Sequence, residues 1–224
     1  MRRGQFRLRL NPSSLLAAII LALLCWLPTN VSAAGTSPPD IPEPENGVTK
    51  PTYHIAIVNQ LSIGDLVIKL ETTKLSDLIK RFPTSALQGH GDAGNAEDWV
   101  CYTISTKKGK IRVWPNSGEM GGDDTIIGVA ISYAPESSDK NCPSIFTGTV
   151  QANLDLGVWL GTYRASIIKQ IGPPSRVYGS VISYDFDYAL PGPNSRQCKV
   201  FGGIDFALKN GHANKIWINK AISC

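Results

Sequence analysis

The fold is decided by the reading of Leu154-Asp-Leu-Gly-Val-Trp-Leu-Gly-Thr-Tyr-Arg-Ala-Ser-Ile-Ile-Lys-Gln-Ile-Gly-Pro-Pro174. Leu154, Leu156, Val158 and Leu160 alternate as residues of a half-buried strand do. Thr162 stands where a helix cap is wanted, and Ile167, Ile168 and Ile171 follow at helical spacing. Gly172, Pro173 and Pro174 then stop the helix.

Leu66-Val-Ile-Lys-Leu-Glu-Thr-Thr-Lys-Leu-Ser-Asp-Leu-Ile-Lys-Arg-Phe-Pro83 has the same order. Leu66, Ile68 and Leu70 alternate, Thr72 or Thr73 can cap, and Leu75, Leu78, Ile79 and Phe82 form an apolar helix stripe that Pro83 ends. Three strand-like runs follow each stretch, at 99–105, 110–114 and 125–133 in the first case and at 181–188, 198–208 and 215–223 in the second. Lys107-Lys108-Gly109-Lys110 is a tight-turn candidate. The expected fold class is therefore α+β, a tandem duplication of a βαβββ unit with short helices packed on antiparallel sheets. The repeats are expected at 53–142 and 143–224, with two cores or one shared core.

Alternation sorts the runs into faces. Val100, Tyr102, Ile104, Ile111, Val113, Ile127, Val129 and Ile131 are expected to face the first helix. Ile182, Tyr184, Phe186, Ile204, Phe206, Leu208, Ile216, Ile218 and Ile222 are expected to face the second. The opposite face then carries Trp99, Arg112, Trp114 and Ile126, and Asp185, Phe201, Asp205, Trp217 and Asn219. Aromatics and arginine are enriched at binding hot spots, because they join a large apolar area to a polar handle. These residues, Ile126 apart, are the candidate binding surface; the competing expectation is that the tryptophans are ordinary core.

Outside the repeats, Arg2, Arg3, Arg7 and Arg9 precede an apolar run at 15–27 and the small-residue site Val31-Ser32-Ala33. That is the pattern of a secretory signal peptide over 1–33, leaving 191 of 224 residues. Cys25 invites a lipoprotein reading, but Leu24 occupies the position where that signal needs a small side chain. Residues 34–52 contain Pro38, Pro39, Pro42, Pro44 and Pro51 and read as a proline-rich linker.

The 22 Lys and Arg of the chain fall to 18 once the four leader arginines are removed, against 18 Asp and Glu. A balanced charge offers no field to gather phosphates, which argues against a nucleic-acid partner. No transmembrane segment is expected after cleavage, and the chain is expected in the periplasm or medium.

Cys101, Cys142, Cys198 and Cys224 remain, an even number that allows three disulfide pairings. If Cys198 and Cys224 pair across the last hairpin, its turn centres near Gly211, where Lys209-Asn210-Gly211-His212 stands; Cys101 with Cys142 follows by elimination. Without a Cys-x-x-Cys, zinc and thioredoxin-like chemistry are disfavoured.

Gly89-His90-Gly91-Asp92-Ala93-Gly94 matches the letters of a dinucleotide fingerprint but leaves a helix and enters a strand, the reverse of what that motif needs. With Asn95, Glu97 and Asp98 the loop 89–98 is oxygen-rich, at a spacing unlike any established calcium loop. His54, His90 and His212 show no metal-ligand spacing, and no cofactor is expected. His90 and Asp92 could orient a base for a small hydrolase, with no nucleophile visibly supplied.

Leu160-Gly161-Thr162, Ile167-Ile168, Ile171-Gly172-Pro173 and Tyr184, with a blurred copy at Thr73, Leu78-Ile79, Phe82-Pro83 and Tyr102, resemble the SmpA/OmlA (BamE-like) and β-lactamase-inhibitor-protein-like repeat. Tandem pairing, export and cystines are similar to the inhibitor proteins, whose concave sheet binds a partner enzyme. No inhibitory loop can be carried over, so β-lactamase inhibition is not implied. The expected function is an exported, non-catalytic module that binds a protein through the sheet face opposite the helices. The alternatives are an inhibitor of a secreted hydrolase, or a hydrolase using the His90 and Asp92 loop.

Overall fold

The computed structural model describes residues 37–40, 58–91, 96–118, 124–136, 139–191 and 197–224. The predicted signal peptide, and all of the linker except residues 37–40, lie outside them. Strands dominate the described residues: β1 (Gln60–Ile63), β2 (Leu66–Lys69), β3 (Gln88–His90), β4 (Glu97–Trp99), β5 (Tyr102–Thr106), β6 (Gly109–Gly118), β7 (Gly128–Tyr133), β8 (Ala152–Leu154), β9 (Arg176–Tyr178), β10 (Val181–Pro191), β11 (Gln197–Lys209) and β12 (His212–Ser223). Helix α1 (Leu75–Arg81) has 7 residues and α2 (Arg164–Ile171) has 8.

The α+β expectation is therefore corrected to a mostly β protein. Each helix is cut to about two turns by Pro83 or by Gly172 and its prolines, whereas β10, β11 and β12 run for 11, 13 and 12 residues. A three-stranded antiparallel sheet runs β2-β1-β8. A nine-stranded sheet runs β3-β4-β6-β7-β12-β11-β10-β9, with β5 also paired to β6. At its centre β7 pairs with β12, joining the strands that follow α1 to those that follow α2.

One buried cluster fills the space on the inner face of this sheet. It takes Leu61, Ile63, Leu66 and Ile68 from the small sheet, Leu75 and Leu78 from α1, and Val113, Ile131, Ile204, Phe206 and Ile216 from the large one. The core is thus shared, and α2 adds a single fully covered side chain, Ile167. Tyr102 and Tyr184 both reach into this core, and burial pushes each hydroxyl up to about 12. Tyr184 donates to the Gly172 carbonyl at 3.1 Å, tying the end of α2 to the sheet.

Local expectations fail where neighbours supply what the segment itself was expected to provide. Neither helix is capped by its threonine. Thr73 Oγ1 accepts from the Lys69 amide and Thr162 Oγ1 from the Trp159 amide, so each closes a turn before its helix. The first turn of α1 is capped instead by Asp124, whose carbonyl and carboxylate each accept an amide, from Leu75 and Ser76, at 2.9 Å.

The expected strand over Leu154, Leu156, Val158 and Leu160 ends at Leu154. Gly157 and Gly161, at φ of 72° and 80°, turn the backbone where a strand would continue. The run predicted from Thr125 becomes β7 only at Gly128, so parity is lost ahead of it: Ile126 turns into the core, and Ile127 does not join it.

The last hairpin closes through Asn210 and Gly211, both at positive φ, as a two-residue turn requires. Its ladder shifts between Ala207 and Leu208, giving β12 one extra residue. That residue brings Cys198 opposite Cys224 rather than Ser223. The bonds Cys198–Cys224 and Cys101–Cys142 are both formed, with Cα atoms 4.2 and 4.6 Å apart.

Candidate functional site, the outer face of the large sheet

The face of the large sheet turned away from the shared core is ordered by strand register. One cross-strand row reads Arg176, Ser183, Asp205, Trp217, Ala130, Trp114 from β9 to β6. The neighbouring row reads Asp185, Gly203, Asn219, Gly128, Asn116, Trp99 from β10 to β4. Six of the eight predicted binding residues lie in these two rows, where period-two alternation alone places them. Arg112 lies one pair further along β6 on the same face, as Phe201 does along β11.

The two ends of the face have opposite characters. At the β6 end, Trp99, Trp114 and Trp217 pack with Ala130 and the Cys101–Cys142 bond in a second buried cluster. The three tryptophans are only 3 %, 3 % and 5 % exposed, so they are core and not free surface. The chain that carries Cys142 supplies part of the cover. It runs beside β5, where the Thr103 hydroxyl donates to the Cys142 carbonyl at 2.7 Å and the Thr103 amide to the Pro143 carbonyl at 2.9 Å. Arg112 is also buried, and its guanidinium meets the Asp139 carboxylate at 3.3 Å on this segment.

The β9 end is polar and partly open. Arg176 holds Asp185 in a bidentate pair, with Nε and Nη2 donating at 2.8 and 2.5 Å. The Ser183 hydroxyl donates to Asp205, and the Ser175 hydroxyl accepts from the Asp185 amide. Burial pushes the Asp205 carboxyl above the usual range, and the charge of Asp185 adds to this, while Ser183, Arg176 and Tyr178 oppose it. The Asp185 hydrogen bond holds the Arg176 guanidinium charged more firmly than usual. Ser183 is wholly covered, so its contact with a carboxylate pins the sheet rather than presenting a nucleophile. Phe201 is half-buried and Asn219 exposed beside this cluster.

Across β4, β6, β7 and β12 lies a cleft of about 480 Å³, lined by Glu97, Asn116, Gly128, Ala130, Trp217 and Asn219 and bordered by residues 37–40. On its β4 and β6 side, Asn116 Nδ2 donates to Glu97. Residues 37–40 of the expected linker therefore touch the sheet: the Trp217 indole donates to the Pro39 carbonyl at 2.7 Å. Proline-rich composition forbids a core of its own but does not prevent a segment from lying on another surface.

Sequence reasoning missed Arg176, Tyr178 and Ser183. The parity of Ser183 with Asp185 was available as a signal, whereas β9 is three residues long and carries no usable period. Asp92 and the interior of loop 89–98 fall outside the described residues, as do the contacts of the His90 side chain. Among the described residues no group of three or more His, Cys, Asp or Glu could hold a metal ion. No helix among them is long and apolar enough to cross a membrane. Comparison with protein-family models, curated proteins and solved structures finds no match.

Proposed function

We propose that this chain is an exported, non-catalytic binding module of the bacterial envelope or medium that holds a protein partner on the outer face of its large sheet. The observation that carries this reading is the partly open part of that face, where Phe201 and Asn219 share the sheet face with the Arg176–Asp185 pair on strands locked by the Cys198–Cys224 bond. A rigid sheet presenting an aromatic and fixed polar groups binds without first paying an ordering cost. Two disulfides agree with export to an oxidising compartment. The resemblance to inhibitor-protein repeats, which use a sheet surface to bind an enzyme, points the same way.

The buried tryptophans move the contact surface away from the β6 end, since substitution there unfolds before it informs. The test uses the mature protein as bait on envelope and medium fractions, beside Phe201→Asp and Asn219→Lys. Loss of a specifically captured protein by both variants, with unchanged melting, supports the reading. Capture unchanged in both overturns it.

A further inference from the structure

We infer that the sheet surface at Trp217, beside the cleft, is a recognition site for an extended, proline-containing peptide, and that residues 37–40 of the chain, which form one wall of the cleft, are its resident occupant, which a partner segment of the same chemistry must displace. This rests on the outer face being a binding surface and specifies the ligand of one part of it.

The seated segment is Ser37-Pro38-Pro39-Asp40. Pro38 and Pro39 are half-buried while Ser37 and Asp40 are exposed, so the segment lies on the surface with its prolines the more covered part. Each ring fixes φ near about −65°, and the residue before a proline is driven to extended backbone, so the segment is stiff before it binds. An extended polyproline backbone makes no internal hydrogen bonds, which leaves its carbonyls as free acceptors. The cleft supplies the matching donor, because an indole N–H can only donate, and that of Trp217 meets the Pro39 carbonyl at 2.7 Å. An aromatic wall with one directed donor is the general means by which proline-rich segments are read.

The floor of the cleft suits this use. Gly128 and Ala130 are the outer-face residues of β7 along it, and a Cβ on Gly128 would collide with Asn116 Oδ1 and crowd the Ile218 carbonyl at 3.2 Å. Glycine at this strand position leaves room for the Asn116 side chain, which sets that amide over the floor of the cleft. Asn116, Asn219 and Glu97 give the rim polar groups. The occupant belongs to the same chain as its site, so it competes for that site intramolecularly. A modest site is then filled in cis and still exchanges with a competing segment. The chain continues Ile41-Pro42-Glu43-Pro44, so the occupant belongs to a longer run of the same chemistry.

The experiment observes the indole N–H resonances of the uniformly ¹⁵N-labelled mature protein, with that of Trp217 assigned through Trp217→Phe. The probe is the blocked nonapeptide Thr-Ser-Pro-Pro-Asp-Ile-Pro-Glu-Pro. Pro38→Gly together with Pro39→Gly changes only the tether, so the fold is retained and the Trp217 resonance moves. Added peptide then returns it toward its original position, binding at least ten times more tightly than to the wild type, where the cis segment competes. A peptide with glycine at both of the first two proline positions does not bind. A Trp217 resonance indifferent to the double substitution overturns the cis occupancy, and a loosened variant that ignores the peptide overturns the recognition site. Neither failure touches the outer-face proposal, which Phe201→Asp, outside the cleft, judges by itself.

Discussion

The β6 and β9 ends of the outer face start from the same strand periodicity and finish as different materials. At the β6 end, three tryptophans, a disulfide and a covered ion pair make a second small core on a face that would otherwise meet water. At the β9 end, the same register holds Arg176, Ser183, Asp185 and Asp205, and the face stays partly open. A sheet has two chemically equivalent faces, and what covers each one decides whether its aromatics support the fold or contact a partner. Here the cover at the β6 end is the segment held by Cys142, with residues 37–40 at its margin.

The comparison breaks most sharply at the disulfides. Replacing Cys101 and Cys142 by alanine opens a 41-residue loop and loosens the tryptophan cluster, which costs about 4 kcal/mol in the chain-entropy model. Removing Cys198–Cys224, whose ends have a sequence separation of 26, costs somewhat less and leaves the tryptophans packed. Urea titrations followed by tryptophan emission distinguish the two, since only the first red-shifts the folded baseline.

Next in size is Trp114→Ala, expected to destabilise by about 3 to 4 kcal/mol because the cavity it leaves is enclosed. Phe201→Ala, at a half-buried position of the other end, costs about 1 kcal/mol. Equal losses would show that the two ends are covered alike.

The ion pairs sharpen the contrast further. Asp139→Ala strands the Arg112 guanidinium, whose side chain is only 11 % exposed, and is expected to cost about 3 kcal/mol. Asp185→Ala frees an Arg176 that water can reach, at about 1 kcal/mol. Thermal melts of both variants at matched ionic strength make the check.

The smallest effect is the pH dependence of Asp205. Its carboxyl titrates above the usual range in the folded chain, so between the unfolded value and that raised value the native state holds more protons than the unfolded one. Stability from this group is greatest below the ordinary aspartate range and is lost as pH rises through the raised value. Asp205→Asn removes that decline while keeping an acceptor for Ser183, and its melting temperature is expected to vary less with pH across the window. An unchanged slope would assign the decline to another group.

Much of the strand framework was legible because period two survives wherever a strand has neighbours on both sides. The six predicted runs became β4 to β7 and β10 to β12, with the first divided at Val100 and Cys101. That division lies opposite Pro115, which has no amide to give the ladder. Hairpin spacing offered Cys198–Cys224 as a candidate and elimination offered Cys101–Cys142, while the choice among the three pairings stayed open until the structure. The helices were legible but overweighted: apolar spacing and proline stops locate them and do not show how little of the sheet they cover. The alternation of Leu154, Leu156, Val158 and Leu160 misled because burial in turns can imitate a strand, and Gly157 and Gly161 were the residues to weigh against it.

By itself the sequence marked which residues of the longer strands share a sheet face and where the last hairpin and its cystine could close, because each follows from local geometry or from spacing along the chain. Only the tertiary structure decided that β7 and β12 join the strands into one sheet over one core, and that Asp124 caps a helix 48 residues away in sequence. It alone showed that the tryptophans at the β6 end are covered while a proline-rich stretch lies against one of them. Those outcomes depend on contacts between distant segments, and no local period records which partner will arrive.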